Sequence, residues 1–557
     1  MKPNRAQVSK IAIQRLYISM RHLFFRGHYK PLGVSGEAMK SALLDLKPEI
    51  YGSIAEDKKL EISGLLYVFQ RLPQGIEECR FIKLISREGF ESSSFSPIIP
   101  AKRRRSCYRV DDEQMVIEMT RGRSDIYDVM THLTFLYIEA EKIRLNALDS
   151  KNRERREWLM LKEIVRKVES DKEYNAEIGF SYLSTLIGRT YEETAEAYKS
   201  FADADKVNNL FSIIYHLGQK SIEEHIDKTD REISFSATLR EEVGHHIFGE
   251  QWAHQIKSFL FEKDWLQKRV HIISSNLHSV MNAIYAKKAL SRLSKNKTIE
   301  EVAELISADD SGKMSNKVRN FALANGMYEI HDWAGTNITV QIFDLCKVDT
   351  SWLPERISNG RKEICEDILI VMDYAFGEQA FECMDELLKP LELEDRKIPV
   401  NYESISIMGK AGILEGGKGD IMIPNAFVFE GSTDNYVFKN ELDTSFYEGS
   451  GLGVYLGPMI TVLGTSLQNK DILRYFKKSS WKAVGLEMEG AHYQKAIQSA
   501  SKIRNSVKKS IKLRYGYYAS DNPLHTGSTL ASGGLGVDGV KPTYLTTLSF
   551  LHSIFKK

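Results

Sequence analysis

Residues 404–424 read SISIMGKAGILEGGKGDIMIP, and this stretch decides the fold of the second half of the chain. Two short apolar runs, 404–409 and 420–424, lie on either side of glycine-rich turns. Short apolar runs bounded by glycine are typical of buried strands. Glycine after a strand also lets a ligand approach the backbone closely, although a plain glycine turn is the simpler interpretation of this segment alone.

Further short β-forming runs occur on both sides of this stretch and alternate with segments of helical spacing. Strands that alternate with helices predict an α/β sheet, and ligands bind such sheets where loops leave the carboxyl ends of the strands. The change in character falls near Ser311-Gly312-Lys313, so we expect one α/β domain over 313–557. The additional predicted strands are 337–344, 367–373, 453–463, 483–487 and 514–519.

The first half of the chain has a different character. Long stretches such as 124–170 and 190–310 combine apolar residues at spacings of three and four with many strong helix formers. Proline is absent from 101 to 353, which suits long helices. We therefore expect a mainly α-helical region over 1–312 that regulates activity or assembly, with a small α+β lobe within 1–120.

Composition excludes several classes of protein. The chain has 557 residues, and its 42% hydrophobic content is that of an ordinary folded protein. Lysine and arginine number 76 against 75 acidic residues, so we expect no nucleic-acid partner. No apolar run reaches the length of a membrane span, so no membrane partner is expected either. The five cysteines form no C-x-x-C pair, which fits a reducing compartment, and we predict a cytoplasmic protein.

The segment 484–490, VGLEMEG, places two acids at the end of an apolar strand. Glu487 and Glu489 are two residues apart, and such side chains point to the same side of an extended strand. Burying a carboxylate without a partner is costly, and a sugar diol that donates two hydroxyl groups is a suitable partner. The alternative is a pair of exposed acids at a helix N-terminus, where the helix dipole favours them.

The segment 515–525, YGYYASDNPLH, places Ser520 and Asp521 at the end of another apolar strand, ahead of the turn that Asn522-Pro523 predicts. Partial burial raises the pKa of an aspartic acid and lets it protonate a leaving group. The alternative is the commonest role of aspartate in such a place, a turn or helix cap.

Taken in order, these segments resemble the motifs of the nucleoside phosphorylase and nucleosidase superfamily, and they are most similar to AMP nucleosidases. The resemblance extends from about 318 to 557, and the continuation after Ser520-Asp521 is its most specific part. The motif segments are AFGEQAFECMDELL at 375–388, the stretch 409–424, EGSTDNY at 430–436, LEMEG at 486–490 and SDNPLH at 520–525.

The resemblance implies a twisted mixed sheet flanked by helices, a homo-oligomer, no cofactor and no metal. It implies that Glu489 holds the ribose 2′- and 3′-hydroxyl groups and that Asp521 donates a proton to N7 of the purine. Met488 takes the position beneath the sugar. The other substrate-binding positions are Glu487, Ser520, Lys410, Gly409, Gly431, Ser432, Thr433 and His525.

The sequence also departs from the superfamily pattern. Phosphorylases typically bind phosphate with an arginine and a serine where this chain has Ile407 and Lys410, and an isoleucine cannot bind phosphate. The departure favours hydrolysis, and Lys410 could instead face a 5′-phosphate. Val428 replaces an arginine that many relatives carry, and 326–345 is the candidate for the superfamily's first strand.

Three hypotheses of function follow. The first is a purine N-ribosyl hydrolase, with AMP as the preferred substrate. The second is a nucleoside phosphorylase or a methylthioadenosine-type nucleosidase. The third is a catalytically inactive nucleotide-binding regulatory protein. In each case the expected partner is a small purine nucleotide or nucleoside.

Two groups of charged residues in the first half are open to more than one interpretation. A helix would place His246, Glu250 and His254 on one face, but we favour a polar or interface face over a metal site. The basic run 102–105, with Arg109, is consistent with phosphate or nucleic-acid binding, and we favour a solvated loop.

Overall fold

The computed structural model describes residues 4–203, 209–358, 367–394, 396–525 and 535–555, and both helices and strands occur in each half of the chain. Contacts between residues divide the chain into two units. The N-terminal unit is Met1–His245 with Ser466–Ile472, and the C-terminal unit is His246–Thr465 with Leu473–Lys557.

The division between the units differs from the predicted boundary at 312/313. It falls between His245 and His246, because the strand Arg269–Ser274 is part of the C-terminal unit's sheet. The sequence of this strand, RVHIIS, lies in a proline-free stretch between two helices, so helical spacing on both sides concealed it. The segment 326–345, the candidate for a first strand, instead forms an antiparallel pair at one edge of the sheet.

The N-terminal unit is mainly helical, as predicted. Its helices are α1 (Arg5–Arg26), α2 (Glu37–Leu46), α3 (Ile62–Phe69), α4 (Gly122–Ala147), α5 (Arg156–Glu169), α6 (Ala176–Ile187), α7 (Tyr191–Asp203), α8 (Leu210–Ile226) and α9 (Ala237–Gly244). Its strands are β1 (His28–Tyr29), β2 (Phe81–Ile85), β3 (Cys107–Arg109), β4 (Gln114–Glu118) and β5 (Glu232–Phe235). The five strands form one sheet in the order β1–β5–β2–β4–β3, so a distant strand completes the sheet within 1–120.

The C-terminal unit has the predicted α/β composition. Its helices are α10 (Ile247–Glu262), α11 (Leu277–Ala289), α12 (Ile299–Ser307), α13 (Lys313–Ala324), α14 (Glu355–Ser358), α15 (Gln379–Leu387), α16 (Lys470–Lys478, of which 473–478 fall in this unit), α17 (Gly490–Gln498) and α18 (Val540–Phe555). Its strands are β6 (Arg269–Ser274), β7 (Met327–Ile330), β8 (Val340–Asp344), β9 (Asp367–Met372), β10 (Leu391–Leu393), β11 (Arg396–Ile398), β12 (Tyr402–Ile413), β13 (Ile421–Phe429), β14 (Asn435–Val437), β15 (Val454–Thr461), β16 (Gly485–Glu487) and β17 (Lys512–Asp521). Each of the seven predicted strand runs overlaps one of these strands.

The large sheet of this unit is mixed, and part of it closes on itself. Its strand order is β14–β13–β15–β16–β12–β6–β9–β8–β7, and β17 pairs with both β12 and β13. The strands β13, β15, β16, β12 and β17 therefore form a closed ring of neighbours. The parallel neighbours β6, β9, β12 and β17 run in one direction, so their carboxyl ends face one edge of the sheet. Closure of this kind matches the barrel-like twisted sheet that the motifs imply.

Lys257 in α10 stabilises the C-terminal end of α15. Its ammonium group donates to the carbonyl oxygens of Glu386 at 3.0 Å, Lys389 at 3.2 Å and Pro390 at 3.4 Å. Burial lowers the pKa of Lys257 to about 8. Replacement by methionine keeps the apolar stem and leaves these carbonyls without their donor, so we expect Lys257→Met to lower the free energy of unfolding by about 2 kcal/mol. Urea denaturation measures the loss, and the exposed Lys317→Met in α13 is the control that should show little change.

None of the helices in the described part of the chain has the length and hydropathy needed to span a bilayer.

Candidate functional site

The carboxyl end of β12 brings two of the predicted motif segments together. Gly412 pairs with Asp521 of β17 on one side and with Leu486 of β16 on the other. Neighbouring strands lie about 4.8 Å apart, so these two backbone positions are separated by roughly 10 Å. A bulge opposite Ala411 and Gly412 leaves Ser520 as the extra residue of β17. Bulges re-aim side chains beside functional sites, and here the bulge carries the Ser520-Asp521 pair.

Asp521 is a buried carboxyl group with one oxygen left for a ligand. The Ser520 hydroxyl lies 2.5 Å from Oδ1 of Asp521 and 3.1 Å from the carbonyl oxygen of Ala411. Oδ2 of Asp521 has no hydrogen-bond partner among the described residues. Burial raises the pKa of Asp521, while the Ser520 hydrogen bond and the charge of the exposed Lys410 oppose the rise. A carboxyl group that keeps its proton longer than usual suits a general acid.

Gly409 has a packing role that its motif position did not reveal. A Cβ atom at Gly409 would lie 2.5 Å from the ring of Tyr517, so only glycine fits against this tyrosine. The Tyr517 hydroxyl is buried and has no hydrogen-bond partner among the described residues. Burial, followed by the charge of Glu487, raises its pKa well above the usual value. Tyr517 is therefore a polar group of the site that the motifs did not identify.

Glu489 is half-buried and is held by backbone donors. Oε1 accepts the Gly377 N–H at 3.1 Å, and Oε2 accepts the N–H of the half-buried Met488 at 3.3 Å. Gly377 follows β9 and has a positive φ of 55°, a conformation that favours glycine. Each carboxylate oxygen accepts more than one hydrogen bond, so a held carboxylate of this kind can still bind two hydroxyl groups.

Glu487 points inward and positions Glu489. Its Oε2 accepts the backbone N–H groups of Glu489, at 2.6 Å, and of Gly490. Its Oε1 lies 2.5 Å from the Thr461 hydroxyl, which in turn accepts the Ala491 N–H at 2.9 Å. These contacts hold the first turn of α17. The geometry gives Glu487 a positioning role in place of the substrate-binding role that the motif implies, because its oxygens are occupied by donors of the protein.

Burial and the nearby charge of Glu489 raise the pKa of Glu487 to about 8. The folded state thus holds this proton more tightly than the unfolded chain, where the pKa of glutamate is about 4.3. The contribution of this proton to the free energy of unfolding is complete below about pH 4.3. It is lost as the pH rises towards 8, at no more than about 1.4 kcal/mol per pH unit. We expect Glu487→Gln to remove this dependence, measured by urea denaturation between about pH 5 and pH 9. The exposed Glu448→Gln should keep the wild-type dependence.

The loop 430–436 is anchored beside Thr461. The Glu430 N–H donates to the Thr461 carbonyl at 2.9 Å, and the side chain of Glu430 is buried. A Cβ atom at Gly431 would lie 3.1 Å from the Leu463 side chain. Ser432 donates to Asp434 at 2.8 Å, and Thr433 is exposed.

Residues 522–525, which follow Asp521 directly, form a turn. The Asn522 side chain donates to the carbonyl of Gly416 at 3.0 Å, and its own carbonyl accepts the N–H of the exposed His525. The sequence-predicted acids Asp521 and Glu489 thus lie at the end of β17 and at the start of α17, whereas the Ser432 hydroxyl donates to Asp434 and the His525 N–H donates to the Asn522 carbonyl.

Sequence reasoning missed Thr461, whose hydroxyl holds Glu487, and the buried hydroxyl pair of Ser274 and Tyr493. Thr461 ends a predicted strand, and Ser274 ends the strand that was taken for helix. The Ser274 hydroxyl lies 2.9 Å from that of Tyr493 in α17. The only signal for these residues is their position at strand ends, which is shared by many residues without a function.

The histidine and glutamate residues at 246–254 do not form one helix face. α9 ends at Gly244, His246 has a positive φ of 58°, and α10 begins at Ile247. His246 is therefore outside the helix that carries Glu250 and His254. Within the described ranges, no three or more His, Cys, Asp or Glu side chains are placed to hold a metal ion.

The basic run 102–105 is only in part the solvated loop that we favoured: Lys102 and Arg104 are exposed, but Arg103 and Arg105 pair with acids. Arg105 is 3% exposed and lies 2.8 Å from Asp125 and 2.6 Å from Asp128. Arg103 donates to both oxygens of Asp128 at 2.9 and 3.0 Å. The carboxylates lie about 20 residues further along the chain, so the local sequence did not reveal that they pair with this run.

No curated protein matches the sequence. The 5′-methylthioadenosine/S-adenosyl homocysteine nucleosidase of Campylobacter jejuni is similar over 51% of this chain and 97% of its own, with 11% identity and a TM-score of 0.30. A futalosine hydrolase mutant of Helicobacter pylori is similar over 50% of this chain and 98% of its own, with 11% identity and a TM-score of 0.29. The Streptococcus pneumoniae MTA/SAH nucleosidase in complex with 8-aminoadenine gives 12% identity, 51% and 99% coverage and a TM-score of 0.29.

One family model matches two overlapping parts of the sequence, residues 37–322 and 302–556. Together these matches extend over most of both units. The chain belongs to the DUF6909 family, a family of unknown function.

Proposed function

We propose that this protein is a purine N-ribosyl hydrolase and that AMP is its substrate. The observation that carries the proposal is the carboxyl group of Asp521, which is buried, has a raised pKa and leaves Oδ2 without a partner among the described residues. Glu489, held by backbone donors near the same edge of the sheet, is the second element. The order of the motifs and the Asn522-Pro523-Leu524-His525 continuation support the choice of AMP.

In the proposed reaction, water adds to C1′ of the ribose as the bond from C1′ to N9 of the base breaks. The electron pair of that bond passes to the base, and Asp521 donates its proton to N7. The proton that the water releases restores the protonated Asp521 over the cycle, and the products are adenine and ribose 5-phosphate. Glu489 holds the 2′- and 3′-hydroxyl groups and places a negative charge beside the ribose as positive charge develops on it.

Ser520 supports the acid in this scheme. Its hydroxyl donates to Oδ1 of Asp521, which leaves Oδ2 to carry the transferable proton. The low exposure of Asp521 raises the pKa of its carboxyl group, which favours the protonated form. Protonation of the leaving base removes the charge that would otherwise develop on it.

Hydrolysis is favoured over phosphorolysis by the residues near the end of β12. Ile407 is 2% exposed and pairs with Ser274 and Tyr515, so it adds an apolar side chain where phosphorylases use arginine. Lys410 is exposed and acts on Asp521 through its charge. Neither residue offers the arginine and serine pair that binds phosphate in phosphorylases.

Chromatography of the purified full chain with AMP, adenosine, methylthioadenosine and IMP, each with and without phosphate, tests the proposal. We expect free adenine from AMP in the absence of phosphate. Release that requires phosphate would contradict hydrolysis, and release from methylthioadenosine but not AMP would contradict the choice of substrate. Failure to release base from all four substrates would overturn the proposed activity. The homo-oligomer that the motifs imply is tested separately by light scattering after size-exclusion chromatography.

A further inference from the structure

Several arginine side chains of the N-terminal unit gather around the first turn of α4. Arg105 donates to the carbonyl oxygen of Arg71, and Arg121 is the N-cap residue of α4. The charges of Arg103, Arg104 and Arg105 all act on Arg121. We refer to these residues as the arginine cluster: Arg71, Arg103, Arg104, Arg105 and Arg121.

Two members of the cluster are anchored by carboxylates. Arg105 is buried and pairs with both Asp125 and Asp128, and Arg103 donates to both oxygens of Asp128. Burial acts to raise the pKa of Asp128, but contacts with His132, Arg103 and Arg105 hold it well below its usual range. The acids of the first two turns of α4 thus fix the position of these two guanidinium groups.

Within the described ranges, the hydrogen bond that the Arg71 side chain makes is to a backbone carbonyl and not to a carboxylate. Its side chain is 9% exposed, and its guanidinium carbon lies 3.4 Å from the centre of the Tyr67 ring. One terminal nitrogen donates to the Tyr67 carbonyl at 2.9 Å, but the buried Nε has no hydrogen-bond partner among the described residues. Arg103 is close by, since it hydrogen-bonds the Tyr67 hydroxyl. A buried donor without an acceptor is costly, so this position favours an added anion.

The positive charges of the cluster reinforce one another, which also favours binding of an anion. Burial lowers the pKa of Arg71, and the charge of Arg103 lowers it further. Burial also lowers the pKa of Arg121, as do the charges of Arg105, Arg103 and Arg104, and the opposing charge of Asp125 does not cancel them. The N-terminus of α4, a helix of 26 residues, adds the positive end of its dipole. Arg104 is exposed, so the cluster is open to solvent.

We propose that the arginine cluster binds a phosphate-bearing small molecule. Arg71, Arg104 and Arg121 would contact the phosphate oxygens, while Asp125 and Asp128 position the other two arginines. The planar guanidinium group matches phosphate with paired hydrogen bonds, and helix N-termini attract the same group. Every residue of this site belongs to the N-terminal unit, so the inference is independent of the proposed hydrolase activity.

Isothermal titration calorimetry of the full chain with inorganic phosphate, pyrophosphate and ATP tests this inference. We expect saturable binding of at least one of them by the wild type. Arg104→Glu and Arg71→Met should each weaken it by about tenfold or more, because each removes a charged hydrogen-bond donor. Arg166→Met is the matched control, since Arg166 is exposed and pairs with Glu163 on a different helix, and its binding should not change.

Two further comparisons separate this site from the candidate active site. Asp521→Asn should retain the binding, because Asp521 lies in the C-terminal unit. Binding of pyrophosphate as tight as that of ATP would identify the phosphate groups as the recognised part, and binding of ATP alone, if lost in Arg104→Glu, would identify a nucleotide. Both outcomes support the site.

Absence of saturable binding of all three ligands by the wild type at millimolar concentration would overturn the inference. Equal binding by the wild type and Arg104→Glu would also overturn it. Arg104 is exposed, so Arg104→Glu keeps the test decisive even where circular dichroism shows that Arg71→Met disturbs the fold.

Discussion

Asp521→Asn is expected to lower kcat for AMP hydrolysis by about 10²- to 10⁴-fold, the usual contribution of a positioned general acid. Asparagine has nearly the shape of aspartic acid, and its side-chain oxygen can still accept the hydrogen bond from Ser520. It has no carboxyl proton to transfer to the base. Release of adenine followed by chromatography measures kcat, and KM should change much less.

Asp264→Asn is the matched control for this substitution. Asp264 is exposed, and its φ of 58° lies in the left-handed region, which asparagine tolerates as well as aspartate. The control should keep full activity. A loss of activity in Asp521→Asn could also come from a disturbed site, and a second substrate separates the two causes.

A ribose derivative with a nitrophenolate leaving group needs no proton to depart. If Asp521 is the general acid, Asp521→Asn should hydrolyse such a compound at nearly the wild-type rate while its hydrolysis of AMP is lost. Equal losses for both substrates would contradict the role of proton donor and would indicate a structural role for Asp521. Wild-type activity of Asp521→Asn on AMP would contradict any role in catalysis.

The pH dependence of kcat supplies an independent check. The general acid must be protonated, so activity should fall as the pH rises through the pKa of Asp521 in the complex with substrate. Burial raises that pKa above the usual value for aspartic acid, so the fall is expected at a higher pH than an exposed aspartate would give. Asp521→Asn should not show this fall.

The sequence predicted seven of the twelve described strands of the C-terminal unit, because each of the seven is a short apolar run with glycine or a turn at its end. It also predicted that Asp521 and Glu489 lie at strand ends. It failed for β6, because a strand of six residues between two helices resembles a continuous helical stretch. Because β6 was not predicted, the expected boundary fell at 312/313, whereas the two units divide between His245 and His246.

The expectation that Glu487 and Glu489 point to the same side of one strand was also wrong. The strand β16 ends at Glu487, and Glu489 already has the N-cap position of α17, so the two side chains no longer share a face. The helix N-terminus considered as the alternative is present, but its acid is buried: Glu487 accepts the N–H groups of Glu489 and Gly490. Similarly, the basic run 102–105 pairs with acids of α4, and no local pattern could show those partners.

Glu489 leads to the second large expected effect, which concerns the ribose hydroxyl groups. Two hydrogen bonds from hydroxyls to a carboxylate contribute roughly 3–4 kcal/mol together, so Glu489→Gln should lower kcat/KM for AMP by about 10²- to 10³-fold. The amide oxygen of glutamine can replace only one of the two acceptors that face Gly377 and Met488. Its NH₂ group must then face a backbone donor or the substrate. The site thus loses the negative charge and one of the two hydrogen-bond acceptors. The exposed Glu448→Gln is the control and should keep wild-type kinetics.

A substrate without the 2′-hydroxyl distinguishes a lost contact from a general loss of activity. The wild type should prefer AMP over its 2′-deoxy form by at least about tenfold, because the deoxy form leaves part of the Glu489 carboxylate without a donor. Glu489→Gln should reduce that preference, since the carboxylate that recognises the hydroxyl is gone, while Asp521→Asn should retain it. If Glu489→Gln discriminates between the two substrates as strongly as the wild type, the ribose is held by other groups. Glu489 would then have a structural role, and the backbone donors around it would serve only the start of α17.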